Sequence, residues 1–220
     1  MARVKVALEV GSKRTFAVAL DWPGWARSGK TEDEALARLE EYARRYASAV
    51  GEKSLREPVE LDVAERLEGG SGTDFGVPSV APAIDAEPLT AADTQRLLRL
   101  LEAAWRTFDG AAAAARGKTL RLGPRGGGRN LEKMTGHVLE AEEAYLHQLG
   151  QKRPPASSEE LGRRMAQVRR ATLVVLAARS RGEEPPDPNQ VRRRWTPRYH
   201  VRRSAWHALD HAWEIEDRAE

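Results

Sequence analysis

The spacing of apolar positions changes period along the chain, and the changes mark its elements. Val4-Lys5-Val6-Ala7-Leu8-Glu9-Val10 alternates on a period of two. After a turn-like Gly11-Ser12-Lys13-Arg14, Thr15 to Leu20 reads as a second strand, so the pair predicts a hairpin. Asp21-Trp22-Pro23-Gly24-Trp25 leads into a short third strand ending at Gly29. Thr31-Glu32-Asp33-Glu34 has capping-box form and opens a helix to about Val50. Ala35, Leu36, Leu39, Tyr42, Ala43 and Tyr46 make its apolar stripe. Val59, Leu61 and Val63 then restore period two. The order β-β-β-α-β predicts a small α/β sandwich, one helix covering an antiparallel sheet. Trp22 and Trp25 fit packing at the sheet's open end better than a binding groove.

From Gly69-Gly70-Ser71-Gly72 to Pro88 no period survives, and the Gly, Pro and small residues predict a linker. Helical spacing governs the rest. Thr90 caps a helix bearing Leu97, Leu98, Leu100, Leu101, Ala104, Trp105 and Phe108, which frays within 111–116. Leu122 to Gly128 is glycine-rich but lacks both the Lys-Ser/Thr of a P-loop and a preceding strand, so it predicts a loop. A second helix runs from about Asn130 to Leu149. A third starts at Ser157-Ser158-Glu159-Glu160, carries Leu161, Met165, Val168, Thr172, Val175 and Leu176, and stops in the Pro-rich stretch 182–188. Thr196, with Pro197 at the first helical position, begins a last helix to Arg218. The expected fold class is α+β: an α/β domain over 1–68, a linker over 69–88 and a four-helix bundle over 89–220.

Composition narrows the chemistry. The 220 residues contain no cysteine, which removes disulfides, a thiolate nucleophile and Cys-ligated zinc. No apolar run is long enough for a membrane span and no signal pattern opens the chain, so a cytoplasmic protein is expected, without a membrane partner. The net charge of +3 is uneven. The first 68 residues hold 12 Lys and Arg against 13 Asp and Glu, and the basic excess falls downstream, notably at Arg192, Arg193, Arg194, Arg198, Arg202 and Arg203. No aromatic-basic interleaving accompanies that patch, so nucleic acid is not the expected partner.

Two of the five histidines, His207 and His211, stand four apart on the last helix. Their Cβ atoms are then roughly 5–6 Å apart on one face, close enough to share a metal ion. His200 and Ser204 fall on the same stripe and Glu214 near its edge, beside the apolar arc Val201, Ala205, Ala208, Leu209, Ala212 and Ile215. A lone HxxxH pair needs a third ligand. On the second bundle helix His137 lies at the edge of the arc formed by Leu131, Met134, Val138, Ala141, Tyr145 and Leu149, whereas His147 falls opposite and should point to water.

One histidine in Thr135-Gly136-His137-Val138-Leu139-Glu140-Ala141-Glu142 and two in Trp206-His207-Ala208-Leu209-Asp210-His211-Ala212-Trp213 resemble the DinB/YfiT-like family, which includes the mycothiol-dependent enzymes of high-GC bacteria. The resemblance spans about residues 89 to 218, and the Ala- and Arg-heavy composition is similar to that of actinobacterial proteins. It implies a divalent metal (zinc, nickel or iron) on His137, His207 and His211, with open positions for water or substrate. His200, Ser204, Asp210, Glu214 and Tyr145 are then candidates to line the pocket or orient the ligands, and no catalytic residue beyond the ligands is identified. Residues 4 to 67, through Trp22-Pro23-Gly24-Trp25, Gly29 and Thr31-Glu32-Asp33-Glu34-Ala35-Leu36, resemble the HicB-like fold; the antitoxin function is not carried over.

The leading functional expectation is a metal-dependent enzyme acting on a small molecule, of the low-molecular-weight thiol (mycothiol) S-transferase type. A metal-dependent hydrolase or isomerase is the nearest alternative. A non-enzymatic scaffold or binding protein with a structural metal is another, and RNA binding through the HicB-like sheet a weaker one. A homodimer is left open.

Overall fold

A computed structural model describes residues 2–56, 58–122, 128–152, 160–184 and 194–220. Strands β1 (Ala2–Val10), β2 (Thr15–Ala19), β3 (Ala26–Gly29) and β4 (Val59–Glu68) form one sheet in the order β3-β2-β1-β4. The hairpin register pairs Val6 with Ala19 and Val10 with Thr15.

The sheet is mixed, not antiparallel as expected, because β4 runs parallel to β1. The chain leaves β3 at one edge, crosses the sheet as helices and enters β4 at the other edge. Such a crossover delivers a strand in the parallel sense. Alternation in sequence carries no information about that direction. The covering helix is also two helices, α1 (Glu32–Glu41) and α2 (Ala43–Val50), meeting at Tyr42. Across the break Ala35, Leu39, Ala43, Tyr46 and Ala47 all remain buried against the sheet. Thr31 caps α1 by accepting from the Glu34 N–H, while Glu34 reaches back to the Lys30 N–H.

Residues 69–88, expected as a linker, carry a short helix α3 (Ser71–Phe75) and a 3-10 turn at Ala83–Ala86. Polar contacts rather than apolar periodicity hold them. Glu9, fully buried on β1, accepts from Thr73 Oγ1 at 2.5 Å, from the Ser79 N–H at 2.9 Å and from the Val80 N–H at 3.2 Å. Asp85, equally buried, takes a bidentate grip from Arg202, both contacts 2.8 Å.

The second half holds α4 (Ala91–Ala114), α5 (Leu131–Gln148), α6 (Leu161–Ser180) and α7 (Pro197–Arg218). The four helices expected from sequence are therefore present. The glycine-rich loop through 123–127, the Ser157-Ser158-Glu159 helix start and the Pro-rich stretch 185–188 lie outside the described residues, as do Arg192 and Arg193. Asn130, Thr90 and Thr196 supply side-chain caps, with Pro197 in the first turn of α7. Ion pairs tie the bundle: Arg169 of α6 holds the buried Glu142 of α5 at 2.9 Å and the exposed Asp109 of α4 at 2.8 Å.

The two halves share one apolar core, running from Val4 and Leu8 through Trp25 and Leu39 to Leu101, Met134 and Leu209. Trp25 is fully buried, stacks on Tyr46 and donates from Nε1 to the Leu39 carbonyl at 2.9 Å, so it packs rather than binds. Gly24 has φ +96°, and a Cβ there would lie 2.9 Å from Leu209 Cδ1. Only glycine permits both that backbone and so close an approach of the hairpin end to α7.

Helix α7 is thus a wall common to both halves. At 3.6 residues per turn, its stripe His200-Ser204-His207-His211 and its stripe Arg202-Trp206-Asp210-Trp213 lie roughly 130–140° apart. The apolar arc between them enters the shared core. The second stripe meets the sheet side: Trp206 packs with Phe16, Val18 and Ala26, and Trp213 lies against Tyr42. No helix among the described residues is long and apolar enough to cross a membrane.

Candidate metal centre

Helices α5 and α7 cross so that His137 meets His207 and His211. One nitrogen from each ring lies within 4.8 Å of the other two. The Nε2 atoms of His207 and His137 are 3.3 Å apart. Two ligands at about 2.05 Å in a tetrahedral arrangement are separated by roughly 3.3 Å, so this pair already has the spacing of a shared ion. The rings of His207 and His211 are 4.5 Å apart between centroids and nearly perpendicular, as i and i+4 imidazoles facing one point should be. His207 and His211 are buried, and His137 is half-buried at the rim.

The electrostatics suit metal binding. Burial, then the neighbouring charges of His211 and Arg203, push the His207 pKa well below its ordinary value. Burial, then Arg129, lowers that of His137. Both rings are therefore neutral at neutral pH and keep a free lone pair, the form in which imidazole ligates. The donor set, three nitrogens and no sulfur, fits zinc, iron or nickel. These residues fit a bound divalent cation.

Glu214 orients one of the three rings. His211 Nδ1 is 3.0 Å from Glu214 Oε2, which fixes the ring and leaves Nε2 as its free donor atom. The other carboxylate oxygen is held by Arg218 Nη1, whose guanidinium also donates to the carbonyls of Arg121 and Arg129. The hydrogen bond from His211, then Arg218, holds the Glu214 carboxyl below its usual range. A carboxylate behind a ligating imidazole sets its tautomer and raises its basicity. His207 has no such partner among the described residues, its Nδ1 being buried without one.

The remaining sequence candidates divide. Tyr145 reaches the centre, its ring 5.8 Å from that of His207, with Trp195 on its other side and Arg203 nearby. His200 and Ser204 pair with each other at 3.2 Å, and neither is in the three-histidine group. His200 is fully enclosed, which pushes its pKa down to about 3, so it is a neutral core residue. Asp210 is directed away, to Arg27 of β3 at 2.7 Å, because one residue before His211 is about 100° around the helix. His147 is half-buried, not in water, and sits 3.3 Å from the Gln151 carbonyl, apart from the centre.

Sequence reasoning missed Arg218 and Arg203. Arg218 is four residues after Glu214 and Arg203 four before His207, so the i, i+4 rule was the available signal. No protein-family model, curated protein or solved structure matches the chain.

Proposed function

We propose that the chain is a metal-dependent enzyme of the DinB/YfiT-like type that activates a low-molecular-weight thiol for transfer to an electrophilic small molecule. The observation that supports it is the convergence of His137, His207 and His211 from two helices at a half-buried rim. A divalent ion held there supplies Lewis acidity, lowering the pKa of a thiol or water beside it. His207 and His211 hold the two buried donor positions, and Glu214 keeps the His211 ring in its ligating tautomer. Tyr145 packs edge-on against the His207 ring and is itself backed by Trp195. With no cysteine in the chain, the thiol comes from a cosubstrate such as mycothiol. A hydrolase or isomerase would use the same three residues.

The test is cobalt substitution of the untagged protein, followed by titration with mycothiol-like and bacillithiol-like thiols. The expected result is about one ion per chain and a thiol-dependent change in the cobalt spectrum. No spectral change at millimolar thiol would overturn the transferase reading in favour of hydrolysis, and protein that takes up no cobalt would overturn the metal centre itself.

A further inference from the structure

On the sheet side of α7, away from the three histidines, a cleft of about 420 Å³ opens between β2, β3, α1 and α7. Its volume is that of a small-ligand site. Its chemistry is one-sided. Arg14 and Arg38 converge on Ser28: Arg14 Nη1 donates to Ser28 Oγ at 3.0 Å, and Arg38 Nη1 lies 3.4 Å from the Ser28 carbonyl. Neither guanidinium has a carboxylate partner among the described residues.

A third arginine, Arg27, stands in the same wall. Its guanidinium stacks on Tyr42 at 3.7 Å and on Trp213 at 4.4 Å, and Asp210 takes one of its nitrogens. Its Nε and Nη2 are buried without a partner among the described residues. Trp206, 5% exposed, also lines the cleft, and its Nε1 is a third buried donor without an acceptor among the described residues. Buried donors are satisfied in most folded proteins, so three on two neighbouring side chains call for an acceptor. The acids present are Asp210, already engaged by Arg27, and Glu41, which is exposed at the edge.

We propose that this cleft binds a phosphate monoester, with the phosphate taken by Arg14, Arg38 and the Ser28 hydroxyl. Guanidinium forks on two sides and a hydroxyl between them match a tetrahedral dianion, which offers acceptor oxygens in several directions. A planar carboxylate would satisfy one fork. Stacking on two aromatic rings fixes Arg27, so its charge adds to the field in the cleft without reorganisation on binding. The site shares α7 with the metal centre but none of its ligands, and it does not depend on the function proposed for that centre.

The test is calorimetric titration of the full-length, metal-loaded protein with inorganic phosphate, glycerol 3-phosphate and acetate in turn, repeated with Arg14→Gln and Arg38→Gln. Both phosphate probes should bind, acetate should bind at least tenfold more weakly, and each variant should lose roughly tenfold in phosphate affinity. Metal content is measured alongside and should match wild type. Phosphate bound at the metal would then persist in both variants, and a failure here would leave the metal centre untouched. Acetate binding as tightly as phosphate, or both variants retaining wild-type affinity, would overturn the site. Inorganic phosphate binding without glycerol 3-phosphate would overturn the monoester as its ligand. Arg38 is exposed and Arg14 half-buried, so the two single variants report independently of one another's folding.

Discussion

Glu214 offers the sharpest test of the metal centre, because it touches no ion and yet should set its affinity. Glu214→Ala removes the acceptor of the His211 Nδ1–H and frees the Arg218 guanidinium that now holds the other oxygen. A hydrogen bond to a charged group contributes about 1.5–3 kcal/mol, but the Glu214 side chain is 35% exposed, against 11% for His211. Water therefore replaces part of the interaction, and the lower end applies. About 1.5 kcal/mol corresponds to roughly a tenfold weaker Kd, at the low edge of the tenfold to hundredfold range usual for residues that support a ligating imidazole. Glu214→Gln, which keeps an oxygen but loses the charge, should fall between. The assay is competition for zinc against a chromophoric chelator, with Glu216→Ala as control on the same helix. Glu216 is exposed and pairs with Arg45 instead. The reasoning is refuted if Glu214→Ala binds zinc within twofold of wild type, or if Glu216→Ala weakens binding as much.

His137→Ala should lose most bound metal, since a bidentate pair remains, whereas His147→Ala should keep it; elemental analysis of both variants decides, and metal loss in the second would place the ligand wrongly on α5. Acid should destabilise the fold through His200. Its folded pKa of about 3 lies below the ordinary 6.5, so the unfolded chain binds a proton that the folded one refuses. That contribution is intact above pH 6.5 and is lost as pH falls toward 3, at up to about 1.4 kcal/mol per unit. Urea denaturation across pH 6 to 4 should show a flatter slope in His200→Asn, and parallel slopes would refute the assignment. Asp85→Ala should cost about 3–5 kcal/mol by stranding the buried Arg202 charge, and a loss below 1 kcal/mol in urea midpoints would show that the two backbone carbonyls Arg202 also meets suffice for it.

The elements were legible wherever apolar period and capping chemistry agreed. The Thr196-Pro197 start and the Thr31 and Thr90 caps carry local hydrogen bonds that sequence spacing encodes directly. The direction of β4 was not legible, because alternation is the same for either sense of a strand. Nor was the fixing of residues 69–88. Glu9 and Asp85 hold that stretch through single buried carboxylates, each a long-range partner with no periodic signature. A buried Glu in a strand reads as a polar face until the donors around it are known.

The candidate site shows why one helix resisted a full reading. Two arcs of α7 were visible: the histidine stripe, which needed only the i, i+4 spacing, and the small apolar arc beside it. The third arc, Arg202, Trp206, Asp210 and Trp213, mixes charge with tryptophan and resembles neither a core face nor a solvated one. Asp210 stands between the two histidines in sequence and was a candidate for the metal pocket. In space the same position turns it about 100° toward Arg27. A helix that packs on one neighbour has a polar back, and residues there can be ignored. Most residues of α7 between Tyr199 and Ile215 are buried because the helix has two neighbours, the bundle on one side and the sheet on the other. Its paired charges are what such a helix needs on its second contact face, where Arg27, Asp210 and Trp213 make one cation–aromatic stack. That stack ties the sheet to the helix that carries two of the three clustered histidines, so the α/β half contributes to holding the cluster in place.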